Sequence, residues 1–125
     1  MLFKKLLLEK ILKGEKTQTR RRMQRKSGRR VYAVGEKVGI SAAYTKPVAR
    51  IIIKRRFEQR LGDITEDEAR KEGFSSVADF KKQWENLYHW NPEEVVWVYE
   101  FEVAKQDSAS KDKPFQPATN LSERQ

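Results

Sequence analysis

Apolar residues recur at helical spacing through the first dozen positions. Phe3, Leu7, Leu8, Ile11 and Leu12 fall at three- and four-residue steps, while Lys4, Lys5, Lys10 and Lys13 take the opposite face. This spacing predicts an amphipathic helix with Gly14 as its C-terminal stop, and lysines in the last turn suit the negative end of the helix dipole. Residues 15–30 carry no apolar period and read as an extended loop with a turn at Ser27-Gly28. Val31 to Ile40 and Val48 to Phe57 have strand character, with a turn at Gly35-Glu36 and Pro47 at a strand start. The unbroken run Ile51-Ile52-Ile53 predicts a strand covered on both faces.

Thr65-Glu66-Asp67-Glu68 is a capping box, so a helix starts after Thr65. Gly73 is placed to end it, with Phe74 folding back on Ala69. Ser76 and Asp79 cap a second helix whose Val77, Phe80, Trp84, Leu87 and Tyr88 form one stripe. After a turn at Asn91-Pro92, Val95, Trp97, Tyr99, Phe101 and Val103 alternate with Val96, Val98, Glu100 and Glu102 in the clearest strand pattern of the chain. Its Trp and Tyr positions read as core rather than as stacking platforms for bases. From Lys105 the chain is polar with little apolar content and reads as a flexible tail. The order of helix, basic loop, strands, two short helices and strand implies one α+β domain built round a curved, mostly antiparallel sheet or a partly closed barrel. Residues 1–104 form that domain, followed by the tail at 105–125.

Charge changes the picture most at one place. The 125-residue chain carries a net charge of +9, yet residues 1–30 alone hold +10 and the remainder −1. A field this local suits a site that draws in a polyanion. Lys16, Arg20, Arg21, Arg22, Arg25, Lys26, Arg29 and Arg30 follow one another with no acidic residue between them, an arrangement that repels itself without a partner. There is no cysteine and a single histidine, His89. Disulfides, thiolate nucleophiles and Cys-ligated metals are therefore excluded, and neither a metal nor another cofactor is expected. Leu6-Leu7-Leu8 is too short for a signal or a membrane span, so the chain reads as soluble and cytoplasmic.

The candidate chemistry lies in Gly14-Glu15-Lys16-Thr17-Gln18-Thr19-Arg20-Arg21. Lys16 and Thr19 are close enough in a loop for one turn to bring ammonium and hydroxyl together. Lys16 then serves as a base for Thr19 if its pKa is lowered, or as an oxyanion stabiliser if it stays charged. A plainer reading makes Lys16 a solvated phosphate contact and Thr19 a loop cap. Arg21 suits a carbonyl, carboxylate or phosphate because its fork bonds in two places. Arg20, Arg22, Arg25, Lys26, Arg29 and Arg30 read as contacts to a phosphate backbone. Tyr44, between two strands, is available to stack on a base, whereas His89 beside Trp90 reads as structural. Glu72 falls at a predicted helix C-terminus, where the dipole disfavours a carboxylate. That placement works to raise its pKa and suits a general acid, although an exposed glutamate there is also common.

This stretch resembles the signature of the ASCH (activating signal cointegrator homology) family, Gly-x-Lys-x-x-Thr-x-Arg, carried here by Gly14, Lys16, Thr19 and Arg21. The helix from Ile64 to Phe74, the aromatic helix after it and the closing Trp-Val-Tyr-Glu-Phe-Glu strand follow the order of small single-domain members. The resemblance covers about residues 1–104. It implies a PUA-like, partly closed antiparallel barrel with a cleft floored by the signature loop, and no cofactor. Its members are proposed to bind RNA, some small bacterial ones remove the acetyl group from N4-acetylcytidine, and a ribonuclease activity is attributed to others. The amidohydrolase roles map by motif to Lys16 and Thr19, and by one further step to Glu72. The arginine run after the signature is much longer here than in the compact amidohydrolases, which favours a polymer over a free nucleoside. The sequence thus implies binding of RNA or a modified nucleotide, with amidohydrolase and ribonuclease activities as the alternatives.

Overall fold

The computed structural model describes residues 1–23, 31–43 and 46–104. Three helices and four strands follow in the order α1 (Lys5–Leu12), β1 (Gln18–Arg22), β2 (Lys37–Ile40), β3 (Ala49–Arg60), α2 (Glu66–Lys71), α3 (Val77–Glu85) and β4 (Val95–Val103). A short 3-10 turn at Leu61–Asp63 joins β3 to α2. All strand pairs are antiparallel, and the sheet order is β1-β4-β3-β2. Among the described residues this sheet is open, with β1 and β2 as its edges, and not the partly closed barrel expected. The long β3 pairs with β2 through its first half only and shifts register against β4 between Ile53 and Arg55.

Sheet and helices enclose two cores, one on each face. Phe3, Leu8 and Ile11 from the N-terminal segment pack with Ile51, Ile53, Tyr99 and Phe101. On the other face Ala69, Phe80 and Trp84 pack with Leu61, Val96 and Val98. The central strand β4 therefore buries both of its alternating sets, so its Val96/Val98 side is dry. Ile51 and Ile53 are fully buried while Ile52 is only half-buried, so the isoleucine run is covered on one face more than the other.

Gly14 ends α1 at φ +80° and Gly35 turns the chain at φ +88° before β2, both in the left-handed region that favours glycine. The capping box at Thr65 and Glu68 forms. At its other end Phe74 N–H bonds to Ala69 O at 3.0 Å and Gly73 N–H to Arg70 O at 2.9 Å, the paired bonds of a Schellman ending. Three further expectations need correction. Residues 31–36 lie outside β2. Leu87 and Tyr88 lie beyond α3, and Leu87 is exposed. The largest difference is β1: residues 18–22 are a strand in the sheet, not a loop. A strand of Gln, Thr and three Arg survives because its neighbours supply acceptors, including Glu100 for Gln18 and Glu94 for Arg22. The proposed tail at 105–125 lies outside the described residues.

Candidate functional site

After Gly14 the chain doubles back over the end of α1, with Glu15 N–H and Lys16 N–H both bonding to Lys10 O (2.8 and 3.2 Å). Thr17 N–H then bonds to Lys71 O at 2.8 Å, which sets the start of β1 against the C-terminal end of α2. Glu72 caps α2 at that point. Two residues 56 apart in sequence are thereby brought into contact.

Lys16 Nζ donates to Glu72 Oε1 (2.9 Å), Glu72 O (2.8 Å) and Gln18 O (2.9 Å). All three ammonium protons have acceptors. The other oxygen, Glu72 Oε2, accepts from Arg20 NH1 at 2.9 Å. Arg20 also donates to Gln18 Oε1 (2.6 Å) and, through Nε and NH2, to Gln59 Oε1, with Glu68 Oε2 at 3.3 Å. Lys16, Glu72 and Arg20 are all buried, at 2, 3 and 5% exposure. The solvated reading of Lys16 is thus overturned, and Arg20 is a buried structural cation whose donors are occupied, not a phosphate contact. Glu72 does not face outward: two cations offset the penalty of its place at a helix C-terminus. Burial lowers the Lys16 pKa, with Arg20 and Arg21 acting the same way and Glu72 opposing.

These groups line one cleft of about 1080 Å³ that wraps the free edge of β1, between the N-terminal segment and α3. Lys16, Thr19, Arg20, Arg21, Arg22 and Glu72 all contribute to its lining. Arg21 crosses it with Nε 3.3 Å from Thr19 Oγ1, NH2 2.9 Å from Leu2 O, and its guanidinium 4.7 Å from the Phe3 ring centre. Among the described residues no carboxylate salt-bridges Arg21, and NH1 has no protein acceptor. Burial lowers its pKa as well. Arg22 is tied to Glu94 (2.8 Å) and stacks on Tyr88 at 4.7 Å.

Gly14 shapes the turn but does not line the cleft. Arg25, Lys26, Arg29, Arg30 and Tyr44 lie outside the described residues. Sequence reasoning gave no role to Gln18 and Gln59, which have no local signature, and read Glu68 only as a helix cap; all three matter here because they converge on Arg20. It assigned Trp84 and Tyr88 to the core stripe of α3, yet both also line the cleft, as does the half-buried Trp97. Among the described residues no cluster of His, Asp or Glu is placed to hold a metal, and no helix is long and apolar enough to cross a membrane.

The Glu68 carboxyl carries a pH signature. Burial works to raise its pKa, but the bonds from Gln59 and Thr65 and the charge of Arg20 outweigh it, and the net shift is downward. A folded-state pKa below the unfolded value adds stability above roughly pH 4.3, lost as pH falls through the lowered folded value. Glu68→Gln should therefore be less stable than the parent at pH 7, with the gap closing below about pH 4. Denaturant melts across pH check this. A gap unchanged in acid would mean that shape, not charge, is lost.

The ASCH domain family model matches residues 1–105. Among curated proteins none matches the chain. Two solved structures are similar in fold. One is an ASCH domain from Lactobacillus crispatus JV V101, at 20% identity and a TM-score of 0.68 over 78% of this chain and 70% of that one. The other is protein EF3133 from Enterococcus faecalis V583, of the family model DUF984, at 18% identity and a TM-score of 0.58 over 81% of this chain and 68% of that one. The signature residues Lys16, Thr19 and Arg21 share one cleft, and the family model spans nearly all of the described chain, so the chain belongs to the ASCH domain family.

Proposed function

We propose that the chain binds RNA or a modified nucleotide in the cleft at the free edge of β1. Arg21 grips the planar or anionic group there, and the basic run of Arg25, Lys26, Arg29 and Arg30 holds the phosphate chain. The observation that carries this reading is Arg21: a cation with no carboxylate partner among the described residues and NH1 unoccupied, in an aromatic-walled cleft, one residue before a strand end that leads into the cationic run. Single-stranded bases are recognised by such combinations of stacking and hydrogen bonds, and phosphates by flanking Lys and Arg.

Salt dependence tests it. With about four phosphate contacts, log K for a single-stranded oligoribonucleotide should fall with log salt at a slope near −3. Replacing Arg25, Lys26, Arg29 and Arg30 by Ser should flatten that slope and abolish polymer binding. A quadruple variant that binds as the parent does would remove the basic run from the proposal.

A second reading, hydrolysis of an N-acylated pyrimidine nucleoside, is favoured by the Lys16–Glu72 contact beside Thr19. Lys16, neutral once a proton has passed to Glu72, would take the Thr19 proton as the hydroxyl attacks the acyl carbonyl, protonated Glu72 would give its proton to the leaving ring amine, and water would then split the Thr19 ester to release acetate. Purified protein that releases no acetate from N4-acetylcytidine over hours rules it out.

A further inference from the structure

The second half of β3 is rich in cations, and most are neutralised where they stand. Lys54 lies 3.4 Å from Glu102, Arg55 lies 3.5 Å from Glu100, and Arg60 bonds to both Asp63 and Glu93. Arg56 breaks the pattern. It is exposed and has no salt-bridge partner among the described residues. Neutral groups hold it instead: NH1 donates to Tyr32 O at 3.1 Å, and the guanidinium carbon sits 4.7 Å from the Trp97 ring centre. Nε–H and NH2, the pair that forks a phosphate or carboxylate, have no protein acceptor among the described residues. Arg21 is placed in the same way, fixed by a backbone carbonyl and an aromatic ring and left without a counter-charge. The two share one face of the sheet, on either side of β4, with Arg21 opposite Trp97 and Arg56 opposite Tyr99. Two strand spacings across and one two-residue step along put their α-carbons about 12 Å apart. The N-terminal segment and α1 pack over Tyr99 and Phe101. Toward the start of β4 the face opens: Trp97 is half-buried, Val95 is 40% exposed, and Glu58, opposite Trp97 on β3, is exposed. Trp97 both lines the cleft and touches Arg56, so it joins the two cations.

We propose that the RNA cleft continues past Trp97 onto this open end of the sheet as a second nucleotide subsite, where the Arg56 fork takes a phosphate and the Trp97 ring a base. This rests on the reading of the cleft as an RNA site and adds where the next nucleotide lies. An exposed arginine ordinarily loses side-chain freedom when it grips an anion. Tyr32 and Trp97 already hold Arg56 in the free protein, so its fork is ordered before a phosphate arrives. Aromatic rings and arginine planes are the surfaces on which unstacked bases settle, and every base has a face to offer. The subsite therefore adds affinity without reading sequence. The spacing from Arg21 favours a chain over a lone ring as the ligand that engages both cations. Glu58 bounds the track, since its carboxylate repels a phosphate placed farther along β3.

The experiment measures binding of uridine monophosphate and of tetrauridylate to the intact chain and to its Arg56→Gln variant across a salt series. Arg56→Gln should bind tetrauridylate about tenfold more weakly, with the slope of log K against log salt flatter by about 0.7, one phosphate contact fewer. Its affinity for the mononucleotide and its melting temperature should stay close to the parent's, because Arg56 is exposed and holds only Tyr32 and Trp97. Trp97→Leu keeps an apolar side chain against the core and should also weaken tetrauridylate about tenfold, the scale of one stacked base. Should that variant fail to fold, Arg56→Gln decides alone. Parental affinity and slope in Arg56→Gln, or an equal loss for mononucleotide and tetranucleotide, would overturn the second subsite while binding in the cleft stood. Failure of the parent to bind either ligand would remove the RNA reading itself and this inference with it.

Discussion

Glu72→Ala is expected to lower folding stability by about 3–5 kcal/mol, the range for removing one partner of a buried, hydrogen-bonded ion pair. The cost arises from what is left behind. Lys16 would lose the acceptor that offsets its burial, and Arg20 would lose its shortest carboxylate contact, both at 5% exposure or less. Lys16→Met in the same background should recover part of the loss, since a neutral side chain of similar length no longer needs a counter-charge. Urea unfolding of the two single variants and the double variant gives the coupling directly. A loss under about 1 kcal/mol for Glu72→Ala, the level of an exposed pair, would mean that the pair does not form in solution. The same variants bear on function: if hydrolysis is the activity, Lys16→Met should abolish it even at temperatures where the variant is fully folded.

Arg21→Ala should weaken oligoribonucleotide binding about a hundredfold, since truncating a desolvated charged contact costs roughly 2–5 kcal/mol. The effect on folding should be much smaller, because Arg21 contributes only two hydrogen bonds and a stack on Phe3 to the fold. Arg21→Lys should rescue little: an ammonium keeps the charge but loses the planar fork and the flat face over the ring. The split between affinity and melting temperature is the readout. Full affinity in Arg21→Ala would place the ligand elsewhere, and an equal fall in both quantities would reduce Arg21 to a structural residue.

The helices were legible because their signals are local. Thr65 and Glu68, Ser76 and Asp79, and Gly73 with Phe74 lie within one turn of each other, and capping chemistry acts over that range. The alternation of β4 was equally plain, but not what covers its second face. Val96 and Val98 are buried by α2 and α3, and nothing within β4 announces that cover. Strand β1 was invisible for a related reason. Gln-Thr-Arg-Arg-Arg has the composition of a wet loop, and becomes a strand only when Gln59, Glu68, Glu72, Glu94 and Glu100 surround it with acceptors.

By itself the sequence determined the end of α1, both ends of α2, the start of α3, the central strand, the concentration of charge in the first thirty residues and the ASCH signature, because each is written in neighbouring residues. The tertiary structure alone decided which cations are free. Lys16, Arg20, Arg21 and Arg22 look alike along the chain, but among the described residues folding gives Lys16 and Arg20 the carboxylate of Glu72, ties Arg22 to Glu94, and leaves Arg21 without one. A charge is spent or available according to what lies within about 4 Å of it in space, and the carboxylates that decide the matter come from residues 52 to 72 positions away.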